Sequence, residues 1–323
     1  MKGEYLKPSS LAEGALLAAV AVLIALLGLY IPLLGIITNF LWTIPIIILC
    51  IRQDMRTGLL GMLVTALLLS IFATPYRALI IVLQYGGAAL VYGYALRNHW
   101  SFGKTLFYGS MAAIGGTIGA LGLFFALAGF SPLQFDLQGV VNSSLQMYRQ
   151  MGVLEKFSQK GISEAELRQM VTQMVTFIQA VIPAYMLLSS LANALLSLLL
   201  SRKILQKLRI PIPKAAPFSQ WKLPWYFIWP FILGLGAWLF TDYLGWPPLK
   251  TVGQNIVIFY FPIFTFIGIA VVKYYFQKID LLLIKLGLIL LAVFNLPVSI
   301  SFLILLGMFD TVLDYRRLGK SKS

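Results

Sequence analysis

Apolar runs of roughly membrane-spanning length, each closed by a short polar or basic stretch, follow one another along this chain from residue 11 to residue 313. A helix needs roughly 20 apolar residues to cross the hydrocarbon of a bilayer, with tilt absorbing any excess. On that measure the pattern predicts spans near 11–30, 33–51, 58–74, 77–96, 105–130, 171–200, 224–244 and 254–276. The final run, 281–313, is too long for one untilted span, and Asn295-Leu296-Pro297 interrupts it. Proline removes a backbone donor and disfavours helix at the residue before it, so two short helices paired as a hairpin are expected there. The predicted fold class is all-α: a polytopic transmembrane helical bundle with about eight full spans plus a C-terminal hairpin.

Charge then orients the series. If the N-terminus lies inside, alternation places nineteen of the 25 Lys and Arg residues on the inner side, among them Arg52, Arg56, Arg97, Lys104, the block from Arg202 to Lys222, and Lys273, Lys278 and Lys285. This is the positive-inside bias. A single helix over 281–313 would send Arg316, Arg317, Lys320 and Lys322 outside, whereas two short ones return them inside. The expectation is a bacterial plasma-membrane protein, multi-pass, with both termini cytoplasmic. The run at 11–30 ends in no small-x-small cleavage site and is expected to stay as the first span.

Composition agrees, with 59% hydrophobic and 11% charged residues and a mean hydropathy of +0.86. The formal charge of +14 falls at the ends of apolar runs, not on a polar face interleaved with aromatics. Its natural partner is the lipid bilayer, with anionic headgroups on the cytoplasmic side, and not nucleic acid. Cys50 is the one cysteine and lies in an apolar run, so no internal disulfide forms.

Two polar stretches divide the chain. The outer one, 131–170, is charge-balanced and helix-like: Ser163 ahead of Glu164 and Glu166 suits a helix N-terminus, and Val140, Leu145, Met147, Met151 and Leu154 suggest an apolar face. The inner one, 201–223, is basic and rich in proline. The expected organisation is a six-span bundle over 1–200 with an outer helical insertion at 131–170. A cytoplasmic connector over 201–223 and a four-segment membrane module over 224–323 follow.

Catalytic signatures are missing. One histidine, His99, excludes paired-His metal sites, and there are no paired cysteines, no phosphate-binding glycine loop ending in Lys-Ser or Lys-Thr, and no G-x-S-x-G elbow. The sequence therefore points away from an enzyme and implies neither metal nor cofactor. What remains is polar side chains at depth. Gln84 lies two turns below Arg77 on one span, with Tyr85 beside it; Asn39 and Trp42 sit on the second span and Tyr185 on the sixth, near Pro183. Two roles fit these residues: contacts to a small molecule in an outward cavity, with Arg77 meeting an anionic group, or hydrogen bonds and interface anchors within the bundle. Small residues at four-residue spacing, Ala15 with Ala19 and Ala21 with Ala25 on the first span, and Gly115, Gly119 and Gly122 with Gly116 and Ala120 on the fifth, allow helices to approach closely. They fit internal packing or docking of a partner subunit.

The opening run 11–20, the Pro45-Ile46-Ile47 stretch, the turn Arg52-Gln53-Asp54-Met55-Arg56-Thr57-Gly58 and the basic tail resemble the YybS-like family of uncharacterised bacterial membrane proteins over nearly the whole chain. That family's six N-terminal spans are similar to the S components of energy-coupling factor transporters, and their shape also resembles the rod-shape scaffold MreD. The resemblance implies binding of a small-molecule or lipid-like ligand from the outer side as a transporter component, with Ala15, Ala19, Ala21 and Ala25 docking a membrane partner. Its alternative is a non-transporting scaffold for cell-envelope, division or sporulation machinery.

Overall fold

The structure is a computed structural model, described for residues 8–128, 136–159 and 161–318. Among these there is no strand. Helices α1 (Pro8–Tyr30), α2 (Pro32–Leu41), α3 (Thr43–Arg52), α4 (Met55–Phe72), α5 (Pro75–Arg97) and α6 (Phe102–Ala128) lead to α7 (Leu137–Gln150), α8 (Val153–Gln159) and the 44-residue α9 (Glu164–Lys207). Helices α10 (Ile228–Leu239), α11 (Thr241–Leu244), α12 (Pro247–Phe276), α13 (Leu282–Phe294) and α14 (Leu296–Leu313) complete the chain. Among the described residues, eight helical segments are long and apolar enough to cross a membrane. The protein is thus a polytopic helical membrane protein. It packs as two compact units: residues 1–132 with 186–215, and residues 133–185 with 216–323.

In the first unit α3 is the central element. Its sequence is apolar on every side, and Thr43 to Cys50 are all buried, as a helix without a polar face must be. The second span, expected at 33–51, is an apolar segment over Leu33–Arg52, but the helix is interrupted at Trp42 between α2 and α3. Pro45 has no N–H to continue the ladder, and the Thr43 hydroxyl donates to the Phe40 carbonyl. Glycines bring α4 and α5 against α3. A Cβ at Gly58 or Gly93 would collide with Cys50, so the one cysteine is sealed between two helices.

Polar contacts gather the basic turns of this unit at one end. Glu13 on α1 accepts from Arg52 Nη1 at 2.5 Å and from Gln53 Nε2 at 2.7 Å, while Arg97 on α5 donates to the carbonyls of Cys50 and Gln53. At the other end the Tyr30 hydroxyl donates to the Phe72 carbonyl. Asp54 caps α4: the Thr57 N–H donates to its Oδ1 at 2.6 Å, which holds the carboxyl below its usual range. A carboxyl depressed in this way contributes stability above its unfolded value of about 3.9 and loses it as pH falls through the depressed value. Asp54→Ala is therefore expected to cost about 1 kcal/mol at neutral pH, with the gap to wild type narrowing as pH falls below the unfolded carboxyl value. Thermal unfolding in detergent across that range measures it.

The second unit opens with the polar insertion. Asp136 caps α7 by accepting from the Gly139 N–H at 2.9 Å. Ser163 and Glu166 form a reciprocal capping box at the start of α9: the Ser163 N–H donates to Glu166 Oε2 at 2.8 Å, and the Glu166 N–H to Ser163 Oγ at 3.2 Å. The buried face of α7 is Val141 and Leu145, packed on Leu167, Val171 and Val175 of α9. Met147 and Met151, expected on that face, are exposed, because the packed stripe lies about a third of a turn away. α9 continues without interruption through the span to Lys207, about 65 Å at 1.5 Å per residue. At its internal Pro183, the Asn255 side chain of α12 enters the ladder: Asn255 Nδ2 donates to the Ala180 carbonyl at 2.6 Å, and the Ala184 N–H donates to Asn255 Oδ1 at 2.8 Å. One amide thus satisfies backbone groups on both sides of the proline.

Further along, the span expected at 224–244 gives way to a 3-10 turn, the 12-residue α10 and the single turn α11. Gly245, in the left-handed region at φ 62°, and Pro247 and Pro248 stop it. The terminal run 281–313 is two helices split at Asn295, as the proline predicts, and α14 reaches spanning length while α13 does not. α12 and α14 lie parallel. Their C-terminal ends meet, since the Tyr275 hydroxyl donates to the Tyr315 carbonyl at 3.2 Å, so α13 carries the chain back between them. Lys273 and Lys278 therefore share one end of this unit with Arg316 and Arg317. The 3-10 turn at Phe218–Gln220 is there as well: Lys273 Nζ lies 5.6 Å from the Phe218 ring centre, and Arg316 binds the Ser219 and Trp221 carbonyls at 2.6 and 2.7 Å.

Candidate functional site

The polar side chains of the first unit converge on one point inside its apolar bundle. Thr43 of α3, Gln84, Tyr85 and Tyr92 of α5, Thr117 of α6, and Ser190, Asn193 and Ser197 of α9 line a cavity of about 10 Å³, room for about one water. α5 supplies most of this wall because 84, 85, 88, 89 and 92 follow helical spacing, and the alanines at 88 and 89 leave the space. α6 closes on it through Gly116, where a Cβ would run into the Leu83 and Gln84 carbonyls.

Most of the lining groups are already bonded. The Thr117 and Ser190 hydroxyls lie 2.5 Å apart, Tyr92 donates to the Ala194 carbonyl at 2.8 Å, Asn193 Nδ2 donates to the Ser189 carbonyl at 3.0 Å, and Ser197 donates to the Phe40 carbonyl at 3.4 Å. The Gln84 amide and the Tyr85 hydroxyl have no hydrogen-bond partner among the described residues. Beside them the Trp42 ring meets Tyr85 edge to face at 6.5 Å, and its buried Nε1 has no acceptor there. Three polar groups are therefore left open at one place: Gln84 and Tyr85 are half-buried, and Trp42 Nε1 is fully buried, where an unmade hydrogen bond costs about 1–3 kcal/mol. No charged side chain lines the cavity.

Of the six expected ligand residues, Gln84, Tyr85 and Trp42 come together here. Arg77 and Asn39 are exposed, and Tyr185 is 70% exposed. Arg77 lies two turns N-terminal to Gln84 on α5, with its guanidinium carbon 5.9 Å from the Tyr76 ring centre. The hydroxyl lining, Thr43, Thr117, Ser190 and Ser197, escaped the sequence reading. Serine and threonine within helices bond their own backbone and carry no hydropathy signal, so only the convergence of four helices reveals them. The small residues of α1 divide between two faces: Ala21 and Ala25 are buried in the unit, whereas Ala15 and Ala19 are exposed beside Leu16, Leu23 and Leu27. On α6 Gly116 and Gly119 of the expected set are packed, as is Gly109 against the Tyr92 ring, while Gly115 and Gly122 face open space.

The family described as "Predicted membrane protein (DUF2232)" matches residues 19–311, and the chain belongs to it. No curated protein matches the chain, and no solved structure does.

Proposed function

From membership of a membrane-protein family, we propose that the first unit binds a small, uncharged polar molecule entering from the outer side, as part of a transport complex in a bacterial plasma membrane, with both termini cytoplasmic. The observation that carries this reading is the set of unpaired polar groups, Gln84, Tyr85 and Trp42 Nε1, beside a hydroxyl-lined cavity without charge. A neutral ligand with donors and acceptors would complete their hydrogen bonds. A charged one would find no counterion in the lining. Arg77, at the α5 end that the charge pattern assigns to the outside, stands at the rim and not in the site. Ala15 and Ala19 offer the face for a partner subunit. No catalytic role is assigned.

The rival reading, a non-transporting scaffold for cell-envelope, division or sporulation machinery, draws on a different observation: the cavity admits about one water, so a larger ligand requires α5 and α6 to part. Small-molecule extraction from protein purified out of native membrane, with mass spectrometry of what is released, tests both. Ligand binding predicts a stoichiometric neutral compound in the wild type, depleted about tenfold or more in Gln84→Leu, the scale of one buried hydrogen bond. No compound in the wild type, together with a raised unfolding temperature in Gln84→Leu, would sink the binding reading. Co-purification of an ATPase pair supports transport, and recovery of wall-synthesis proteins in its place supports the scaffold.

A further inference from the structure

Arg202, near the C-terminal end of α9, is only 5% exposed, yet no carboxylate pairs with it among the described residues of its unit. The described carboxylates there are Glu13 and Asp54, and both are committed, Glu13 to Arg52 and Gln53 and Asp54 to the Thr57 N–H. Nη2 donates to the Pro213 carbonyl, but Nη1 is buried with no hydrogen-bond partner. A buried guanidinium nitrogen left unpaired is costly, and the group lies where an acceptor could be supplied. Its central carbon is 5.5 Å from the ring centre of Phe102, the first residue of the 27-residue α6. The next residue, Gly103, is exposed, a Cβ there would meet nothing within 4 Å, and its N–H has no acceptor among the described residues. Lys104 follows, its Nζ 4.1 Å from the Trp100 ring centre. The Lys104 N–H donates to Ser101 Oγ at 3.4 Å, which leaves the Gly103 N–H of the first turn, the buried Nη1 of Arg202 and the Lys104 ammonium as the donors of an anion site.

We propose that Arg202, the first turn of α6 and Lys104 bind the phosphate of an anionic phospholipid headgroup. The phosphate displaces the Pro213 carbonyl and takes both terminal nitrogens of Arg202, replacing a neutral acceptor by a charged one. A lipid fits better than a free anion because apolar surface continues from the site along the same helices: Phe107, Tyr108 and Met111 of α6 and Leu199 of α9 are exposed, a path for acyl chains. Trp100 stands at headgroup level, as interfacial aromatics do. Pro213 belongs to the basic connector, so occupancy of the site also sets how that segment is held.

The test is native mass spectrometry of the full chain, released from nanodiscs containing equal phosphatidylglycerol and phosphatidylcholine. Wild type is expected to retain one phosphatidylglycerol in preference to phosphatidylcholine. Arg202→Gln should lose that preference by about tenfold or more, the scale of a charge-assisted hydrogen bond, while Arg56→Gln, an exposed cation at the same end, should keep it. Should Arg202→Gln fail to fold, Gly103→Leu fills the open space with Arg202 intact and is expected to give the same loss. Equal retention by wild type and the site variants overturns the proposal, as does an equal loss in Arg56→Gln, which would mean diffuse attraction to a charged surface. Inorganic phosphate that raises the unfolding temperature as much as phosphatidylglycerol assigns the site to a free anion and overturns the lipid.

Discussion

Arg316→Gln and Asp310→Asn are each expected to lower stability by about 3–5 kcal/mol, the usual effect of breaking one partner of a buried ion pair. The two side chains are 0% and 1% exposed, with Arg316 Nη2 at 2.7 Å from Asp310 Oδ2 and Nε at 3.2 Å. Arg316 also holds two carbonyls, those of Ser219 and Trp221, so its planar fork serves a carboxylate and a separate strand of backbone at once. Asp310→Asn leaves a buried cation without its charge partner. Arg316→Gln leaves a buried carboxylate and two buried carbonyls open. Lysine at 316 is not expected to rescue, because a single ammonium on a flexible stem cannot span these acceptors. Chemical or thermal unfolding in detergent, with the double variant Asp310→Leu/Arg316→Met as reference, measures the effect. A double variant less stable than wild type but more stable than either single one is the expected order, since it removes both charges and still orphans the two carbonyls.

That pair also shows where sequence reading stops. The membrane class, the break ahead of Pro297 and the Ser163 cap were legible because each depends on local composition or on a residue's own backbone chemistry. The positive charge pattern required the chain to turn back after 281, and the structure places Lys273 and Arg316 at the same end of the second unit. By contrast, Arg316 and Ser219 are 97 residues apart in sequence, and nothing local links them. Nothing near Asn255 in the sequence distinguishes it from any helical amide, and its role follows only from lying opposite Pro183. The candidate site was half legible for the same reason. Large polar side chains in apolar runs, Gln84, Tyr85 and Trp42, stood out by cost, while the hydroxyls facing them did not. The 224–244 segment misled because hydropathy measures apolar length and is blind to the backbone at Phe240 and Gly245 that ends the helix.

Glycine spacing gave the plainest divergence, and it leads to the second large effect. The run Gly115 to Gly122 advertised close packing, yet two of its glycines face open space, while isolated Gly268 and Gly307 in the second unit sit where α12 and α14 touch backbone to backbone. A Cβ at Gly307 would collide with the Phe264 carbonyl and lie 2.8 Å from Gly268 N; one at Gly268 would collide with the Leu303 carbonyl. Without a hydrophobic driving force between helices in lipid, this intimacy is much of what holds them together. Backbone cannot swing aside as a side chain does, so Gly307→Ala is expected to push the helices apart and cost at least the roughly 1–3 kcal/mol typical of overpacking. Gly287→Ala on α13, where a Cβ meets nothing, is expected to be neutral or to stabilise by up to about 1 kcal/mol through helix propensity alone. Opposite signs for the same chemical change, read by thermal unfolding of the two variants, would establish that the α12–α14 contact is set by absent side chains. Equal responses would mean that the contact yields, and that α14 is held on α12 by Ile304 and Met308, which pack against the cluster of Phe231, Tyr260 and Phe264, instead.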